Sequence, residues 1–329
     1  RRPVPPALDA DAIPEPQHKA GLDGPFHVYI PGVGGTGVIT INALLCYAAL
    51  MDDKRVLSYD QTGAAQKWGP VLSSLVIAAR SQSLAANKVG AGQADLYLAF
   101  DLMAAAAPAN LDRCDPGRTA AVINTSLLPS GEMIRQVTFT PPVEAMKEAI
   151  ARFTIPERNV SVEARRLAEA LFGDYMTSNL FALGVAYQAG LLPLTAKSIE
   201  GAIRLNRVQV DQNLQAFRYG RLYVADPKRV SALAEPPRRT FEEEQAAVLA
   251  RLSGADARAY VSFLDRCAHL DEESRRLVAI RVGELIDYQD ARYPEPYVEF
   301  VLWVAACERR AAEGRSEITR AVIRSLYKL

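Results

Sequence analysis

The chain is poor in the residues that build most catalytic and metal centres. Only three histidines occur in 329 residues, at His18, His27 and His269. A Ser/His/Asp or Cys/His set is therefore hard to assemble, because such sets need an imidazole beside the nucleophile. The four cysteines, Cys46, Cys114, Cys267 and Cys307, include no CxxC pair. That spacing argues against a zinc or iron–sulfur site within the chain and against a disulfide framework, and it points to a reducing, cytoplasmic compartment. Charge of one sign is missing too: 38 Lys and Arg balance 38 Asp and Glu. A neutral chain offers no electrostatic footprint for nucleic acid or anionic lipid, so neither is expected as a partner. No apolar run approaches the roughly 18 residues of a membrane span. The opening "RRPVPPALDADAIPEPQ" has no apolar stretch of the signal-peptide kind and no initial Met. It reads as a linker, residues 1–25, in a piece of something longer.

What is present is apolar and organised. Hydrophobic residues make up 49% of the chain, enough for a substantial core, and the length suggests two domains. Strand-like runs recur at "FHVYI" (26–30), "RVLSYD" (55–60), "VLSSLVIAA" (71–79), "DLYLAF" (95–100) and "AAVIN" (120–124). They lack strict alternation, as strands buried on both faces do. Helical patterns lie between them. "VITINALLCYAALM" (38–51) is apolar almost all round and predicts a buried crossover helix. From about residue 161 the pattern turns helical: "SVEARRLAEALFG" ends at Gly173, suited to a left-handed cap, and "SNLFALGVAYQAGLLP" stops at Gly190. A basic, proline-containing joint, 227–241, precedes a tail, 242–329, with helical patterns alone. The expected fold is α/β: a three-layer sandwich with a largely parallel sheet over 26–226, followed by an all-α C-terminal domain.

The stretch "PGVGGTGVIT" (31–40) satisfies G-x-G-x-x-G through Gly32, Gly34 and Gly37, with Gly35 and Thr36 between them. It follows a strand run and opens a helix run. In that setting the first glycine permits a tight turn, the second lets a ligand approach the backbone and the third lets helix and sheet pack. A phosphate-bearing ligand would meet free N–H groups and the positive end of a helix. Packing alone can also demand such glycines. Asp60, at the end of the next strand run, stands where a dinucleotide fold keeps its ribose-binding acid. With Asp101 and Asn124 it is expected on one carboxyl edge, a crevice for a ligand or partner. Each of the three, taken singly, is explained as well by turn chemistry. Gly63, Gln66, Lys67 and Trp68 follow in a loop. Lys67 could meet a phosphate as a point charge, although an ordinary solvated lysine is as good a reading, and Trp68 reads as an interface anchor or core plug.

Three segments in order, "GVGGTGVITINALL", "DQTGAAQKWGPVLSSLVIA" and "GQADLYLAFDLMAAA", resemble the gamma domain of 2-oxoacid:ferredoxin oxidoreductases, nearest to the indolepyruvate branch and its fused single-chain relatives. "GRTAAVINTSLLPSGE" and the helical stretch through about residue 221 continue the likeness. The tail, with "IDYQDARY" and "RAVIRSLYKL", resembles the helical C-terminal domain of the fused enzymes. The resemblance implies oxidative decarboxylation of aryl-2-oxoacids by the whole enzyme, with electrons passing to ferredoxin. Thiamine diphosphate and iron–sulfur clusters would sit in other domains, the thiamine-binding and ferredoxin-like ones. This chain would hold no cofactor firmly, would not be active alone and would shape the active-site mouth; coenzyme A is its one candidate ligand. By position after the glycine loop, Asn42 corresponds to the family's coenzyme-contacting asparagine. The full enzyme is expected as a homo-oligomer, with the tail as a docking or dimerisation module. Relatives commonly have Gly-Gly where this chain has Trp68-Gly69, and His and Arg at Ser74 and Val76, so contacts made by those groups are altered here. A different reading, a stand-alone nicotinamide or flavin enzyme using the same loop and Asp60, stays open at this level, although no histidine is placed for its proton transfer. An adenylating enzyme with a GxGGxG loop would want a catalytic cysteine and paired zinc cysteines, and neither spacing occurs.

Overall fold

The computed structural model describes residues 5–63, 69–127, 141–235, 239–312 and 314–328. Two units divide the chain, residues 1–236 and 237–329. In the first, the order is β1 (Phe26–Val33), α1 (Val38–Met51), β2 (Arg55–Thr62), β3 (Pro70–Ala78), β4 (Leu96–Ala99), α2 (Leu102–Ala105), α3 (Pro108–Leu111), β5 (Ala120–Asn124), α4 (Val143–Ala151) and β6 (Val160–Val162). The helices α5 (Ala164–Phe172), α6 (Ser178–Gln188), α7 (Ala196–Asn206), α8 (Val210–Ala225) and α9 (Pro227–Ala234) follow.

The six strands form one sheet in the order β2-β3-β1-β4-β5-β6. β1, β4, β5 and β6 pair in parallel, while β3 runs against both β1 and β2. Five strands therefore share a direction and β3 alone opposes them. Both faces are covered along β1, β3, β4 and β5, which explains those strand runs without alternation, while the edge strand β2 is largely exposed. Val28, Ile30, Leu75, Ile77, Leu96, Leu98 and Val122 face the layer of α1 and the later helices. Tyr29, Tyr97, Ala99, Ala121 and Ile123 face the other layer, with Leu102, Leu111 and Ile150 of α2, α3 and α4. The expected three-layer α/β sandwich is what forms.

Helix ends obey local chemistry. Gly173 takes φ 72° after α5 and its N–H closes on the Glu169 carbonyl. α6 is buried on every side from Asn179 to Gln188. It crosses α8 at two glycines. A Cβ on Gly184 would stand 2.1 Å from the Phe217 carbonyl oxygen, and one on Gly220 2.0 Å from that of Phe181. Only glycine allows backbones this close.

Three expectations change. α1 is not buried all round, since Ile39, Tyr47 and Leu50 are exposed along one stripe. Residues 227–234, expected in a joint, form α9, whose Val230 and Ala234 are buried in the first unit. Residues 5–25, expected as a linker, are held down: Leu8 and Ile13 enter the core.

The second unit is helical: α10 (Phe241–Leu249), α11 (Gly254–Arg266), α12 (Glu272–Tyr288), α13 (Glu295–Ala311) and α14 (Glu317–Ser325). Thr240 and Glu243 form a capping box at the start of α10. The core gathers Tyr260, Val278, Val282, Val298, Val301 and Ile323. Tyr288 is exposed against Tyr293.

Candidate functional site

The glycine loop lies where the sequence places it, between β1 and α1. The roles of its glycines differ from the dinucleotide pattern. Gly32 is the packing glycine: a Cβ there would stand 2.5 Å from Cγ2 of Val38, the first residue of α1. Gly35 and Gly37 take φ of 86° and 88°, a region where side chains are strained. Gly37 is also the N-cap of α1 and offers no side-chain oxygen to the helix. The loop is otherwise bonded down. The Gly34 N–H donates to the Gly69 carbonyl at 2.7 Å, and the Thr36 hydroxyl to the Val33 carbonyl at 2.7 Å. Asn179 Nδ2 of α6 donates to the Thr36 carbonyl at 2.8 Å. The N–H groups of Gly35, Gly37, Val38, Ile39 and Thr40 have no partner among the described residues. Such a cluster of unpaired donors at the positive end of a helix suits an anion.

Beside this loop is a cavity of about 250 Å³. Thr36, Gly37 and Thr40 line it from the loop and the start of α1. Asp174, Met176 and Asn179 line it from the entry to α6, and Asn206, Gln209 and Asn213 from the corner between α7 and α8. That corner holds two side-chain-bearing residues in left-handed conformation, Arg207 at φ 58° and Gln209 at φ 41°. Backbone held this way costs about 1–3 kcal/mol per residue and recurs at ligand clamps. Asn213 Nδ2 steadies the corner by donating to the Val208 carbonyl at 2.8 Å. The lining has apolar walls from Met176, Leu180 and Val208, with the amides and hydroxyls of Thr36, Thr40, Asn179, Asn206, Gln209 and Asn213 set among them. Its one charged member is Asp174, whose carboxylate accepts from the Met176 N–H. These contributors come from distant parts of the chain and carry no local motif, so the sequence alone did not reveal them.

Other expected site residues are brought close, then spent on structure. Asn42 is 1% exposed, and its Nδ2 donates to Asp60 at 2.8 Å. Its Oδ1 is buried without a partner among the described residues. The Ser73 hydroxyl donates to the same Asp60 oxygen. Asn42, Asp60 and Ser73 thus tie α1 to the β2–β3 hairpin, and Asn42 presents nothing to solvent. Asp60 does not stand as a dinucleotide-binding acid should. β3 lies between its strand and β1, which moves it two strand spacings, about 9.5 Å, from the glycine strand. Gly63 closes the hairpin, donating its N–H to the Pro70 carbonyl at 3.0 Å. Gln66, Lys67 and Trp68 lie outside the described residues.

Asp101 and Asn124 do stand at the carboxyl ends of β4 and β5. The Asp101 carboxylate caps α2 by accepting from the Ala104 N–H at 2.7 Å, and burial pushes its carboxyl up from the ordinary range. Asn124 donates to the Phe100 carbonyl and accepts from the Ser126 and Ala164 N–H groups. Turn and cap chemistry accounts for both. Ser74 and Val76 are buried within β3.

No three His, Cys, Asp or Glu side chains gather as a metal site among the described residues. Among the described residues no helix is long and apolar enough to cross a membrane.

The chain is similar to known proteins over much of its first unit. Residues 27–223 match the family described as pyruvate ferredoxin/flavodoxin oxidoreductase, and residues 274–329 match a family of unknown function. Indolepyruvate oxidoreductase subunit IorB of Methanothermobacter thermautotrophicus is 29% identical over 201 residues, covering 59% of this chain and 95% of that protein. The same subunit of Thermococcus kodakarensis is 24% identical over 197 residues, covering 59% and 94%. Among solved structures, pyruvate oxidoreductase subunit PORC of Thermotoga maritima aligns with a TM-score of 0.42 at 19% identity, covering 60% of this chain and 95% of that one. A 2-oxoglutarate:ferredoxin oxidoreductase of Magnetococcus marinus, with 2-oxoglutarate, coenzyme A and succinyl-CoA bound, aligns at 0.44 and 20% identity, over 65% of this chain and 32% of that one.

Proposed function

We propose that this chain, which belongs to the pyruvate ferredoxin/flavodoxin oxidoreductase family, works as the gamma-type part of an indolepyruvate-type enzyme. It is a homologue of the IorB subunit over residues of its first unit. In this reading the whole enzyme oxidises aryl-2-oxoacids in the cytoplasm and passes electrons to ferredoxin. Thiamine-binding and ferredoxin-like domains do the chemistry, the assembly is a homo-oligomer, and the chain alone turns nothing over. The cysteines support that division of labour. Cys46 and Cys114 lie in one unit, Cys267 and Cys307 in the other, and all four are free. They do not fit an iron–sulfur cluster.

The observation that carries the binding part of the reading is the N–H groups of Gly35, Gly37, Val38, Ile39 and Thr40, unpaired among the described residues, beside the cavity. A phosphate of coenzyme A would be oriented there by backbone donors. The cavity of about 250 Å³ is smaller than the ~300–1,000 Å³ of sites that enclose a whole ligand, so it would take only one end of the coenzyme. No cation lines it among the described residues and Asp174 opposes negative charge, so binding to this chain alone should be weak. Titration calorimetry tests this. Coenzyme A should give weak heat that Gly35→Glu abolishes, since that carboxylate would stand at the loop. Absence of heat with the unaltered protein removes the coenzyme from the reading. Thiamine-dependent turnover by the isolated chain contradicts the assignment itself.

A further inference from the structure

The N-terminal segment lies across α6 and α8 as an extended peptide, with one short 3₁₀ turn at Ala10–Ala12. Its recognition runs largely through its own peptide groups. The Gln215 amide reads Leu8 twice, accepting from its N–H at 2.8 Å and donating to its carbonyl at 3.1 Å. Arg218 donates to the same carbonyl, the Tyr219 hydroxyl to that of Pro6, and Gln188 to that of Pro14. Two side chains, Leu8 and Ile13, are buried at 6% and 4% exposure. Two residues past the second anchor, the Glu15 carboxylate accepts from Arg221 at 3.1 Å and from the Tyr187 hydroxyl at 2.7 Å.

Arg221 is the unusual member. It is 1% exposed, and Glu15 is its one carboxylate partner among the described residues. A guanidinium buried this far needs an opposite charge, and here that charge is brought by the segment. The complementarity extends along the groove, where Asp9 and Asp11 lie within electrostatic reach of Arg218. Where the segment runs past the end of α6, the crossing is too close for a side chain: a Cβ on Gly190 would stand 2.2 Å from the His18 carbonyl oxygen. The family match begins at residue 27, beyond this segment.

We propose that the groove over α6 and α8 is a docking site for an extended acidic peptide with aliphatic anchors five residues apart and a glutamate two residues after the second. The chain's own Pro6–Glu15 fills it as a separable ligand. The groove reads main chain at Pro6, Leu8 and Pro14, takes apolar weight at Leu8 and Ile13, and pairs buried positive charge at Glu15. It is an interaction surface of the domain, occupied in cis.

The test uses the full chain carrying a protease site in place of residues 21–24, cut after folding. The expected result is a nicked protein in which the N-terminal fragment exchanges with a fluorescent peptide of residues 1–20, read by anisotropy. Glu15→Gln in the peptide should weaken binding about tenfold, because it removes the carboxylate that pairs the buried Arg221 guanidinium. Ile13→Ala should weaken it by at least as much, and added salt should weaken the unaltered peptide more than Glu15→Gln, which keeps Asp9 and Asp11. A dimer that forms on nicking and exchanges the segment between copies also supports the proposal. A fragment that never exchanges, or a nicked chain that loses cooperative unfolding, shows the segment to be core and overturns it. Equal binding by a peptide carrying both substitutions overturns the recognition pattern. Hydrogen exchange on the uncut chain gives an independent reading: residues 6–15 should open together and ahead of α6, and simultaneous opening with α6 counts against separability.

Discussion

Gly220→Ala tests whether the crossing of α6 and α8 limits the stability of the first unit. The added Cβ would meet the Phe181 carbonyl oxygen at 2.0 Å and the Gly184 Cα at 3.1 Å. Reaching even 3.0 Å requires the helices to part by 1.0 Å (3.0 − 2.0). Both obstacles are backbone, so no side chain can swing away. Overpacking costs about 1–3 kcal/mol where side chains give, and rigid backbone puts this site near the upper figure. Alanine returns about 1 kcal/mol of helix propensity. The balance is a loss of about 2 kcal/mol, or roughly 4–8 °C in Tm for a unit of this size. Thermal unfolding by circular dichroism reads it. Gly201→Ala in α7 is the control, since its Cβ would meet the Met51 sulfur at 2.9 Å and Met51 is half exposed and flexible. There propensity should win, leaving stability unchanged or raised. If Gly220→Ala is as stable as the parent, the reasoning fails, because the two backbones could then separate freely.

Three further outcomes follow from the same geometry. Gly32→Ala should destabilise by about 1–3 kcal/mol through its 2.5 Å encounter with Val38, and Val38→Ala should recover part of that loss; additive losses in the double variant refute the contact. Asn179→Ala should cost about 1 kcal/mol and speed amide exchange in residues 35–41, because the Thr36 carbonyl loses its donor; an unchanged exchange rate there shows the loop to be held otherwise. Glu200, bonded by Arg218 and Arg204, is pushed up by burial yet held below its ordinary 4.5 by those guanidinium groups. Its carboxyl is more acidic folded than unfolded, so its contribution is complete above about pH 4.5 and fades as pH falls through the folded value; if Glu200→Gln leaves the slope of stability against pH below 4.5 unchanged, the pair is not responsible.

The central strands are legible because burial on both faces leaves a mark in sequence: "AAVIN" is buried at all five positions. The three-residue edge strand β6, Val160–Val162, is not, since it is too short to show a period and runs straight into the helical pattern expected from about residue 161. Helix stops at Gly173 and Gly190 were legible because left-handed backbone selects glycine. The direction of β3 was not. Periodicity reports how a strand is buried and says nothing of which way it runs, and the residues that make 55–78 a hairpin carry no two-residue turn signature. The exposed stripe of α1 was missed for a related reason, since an apolar helix face looks the same in sequence whether solvent or a partner covers it. The segment before residue 26 looked like a linker because prolines and acids dominate it. Its two anchors are isolated residues, and the partners of Leu8 and Glu15 lie about 200 positions away.

The reversed strand is what separates the two readings of the glycine loop. In a dinucleotide fold the strand beside β1 ends in an acid facing the loop across an open crevice. Here the neighbour of β1 on that side is β3, arriving from the opposite direction, and Gly34 is pinned to Gly69 at its start. The loop is closed where a ribose would lie. It opens instead toward Asn179 and the strained corner at Arg207 and Gln209. Asp60, with one oxygen already taken by Asn42 and Ser73, faces α1 and not the opening. A nicotinamide enzyme would need that acid free and adjacent. The proposed role of steadying one phosphate-bearing end of a co-substrate needs only the unpaired N–H groups of the loop, beside which stand the amides of the α7–α8 corner.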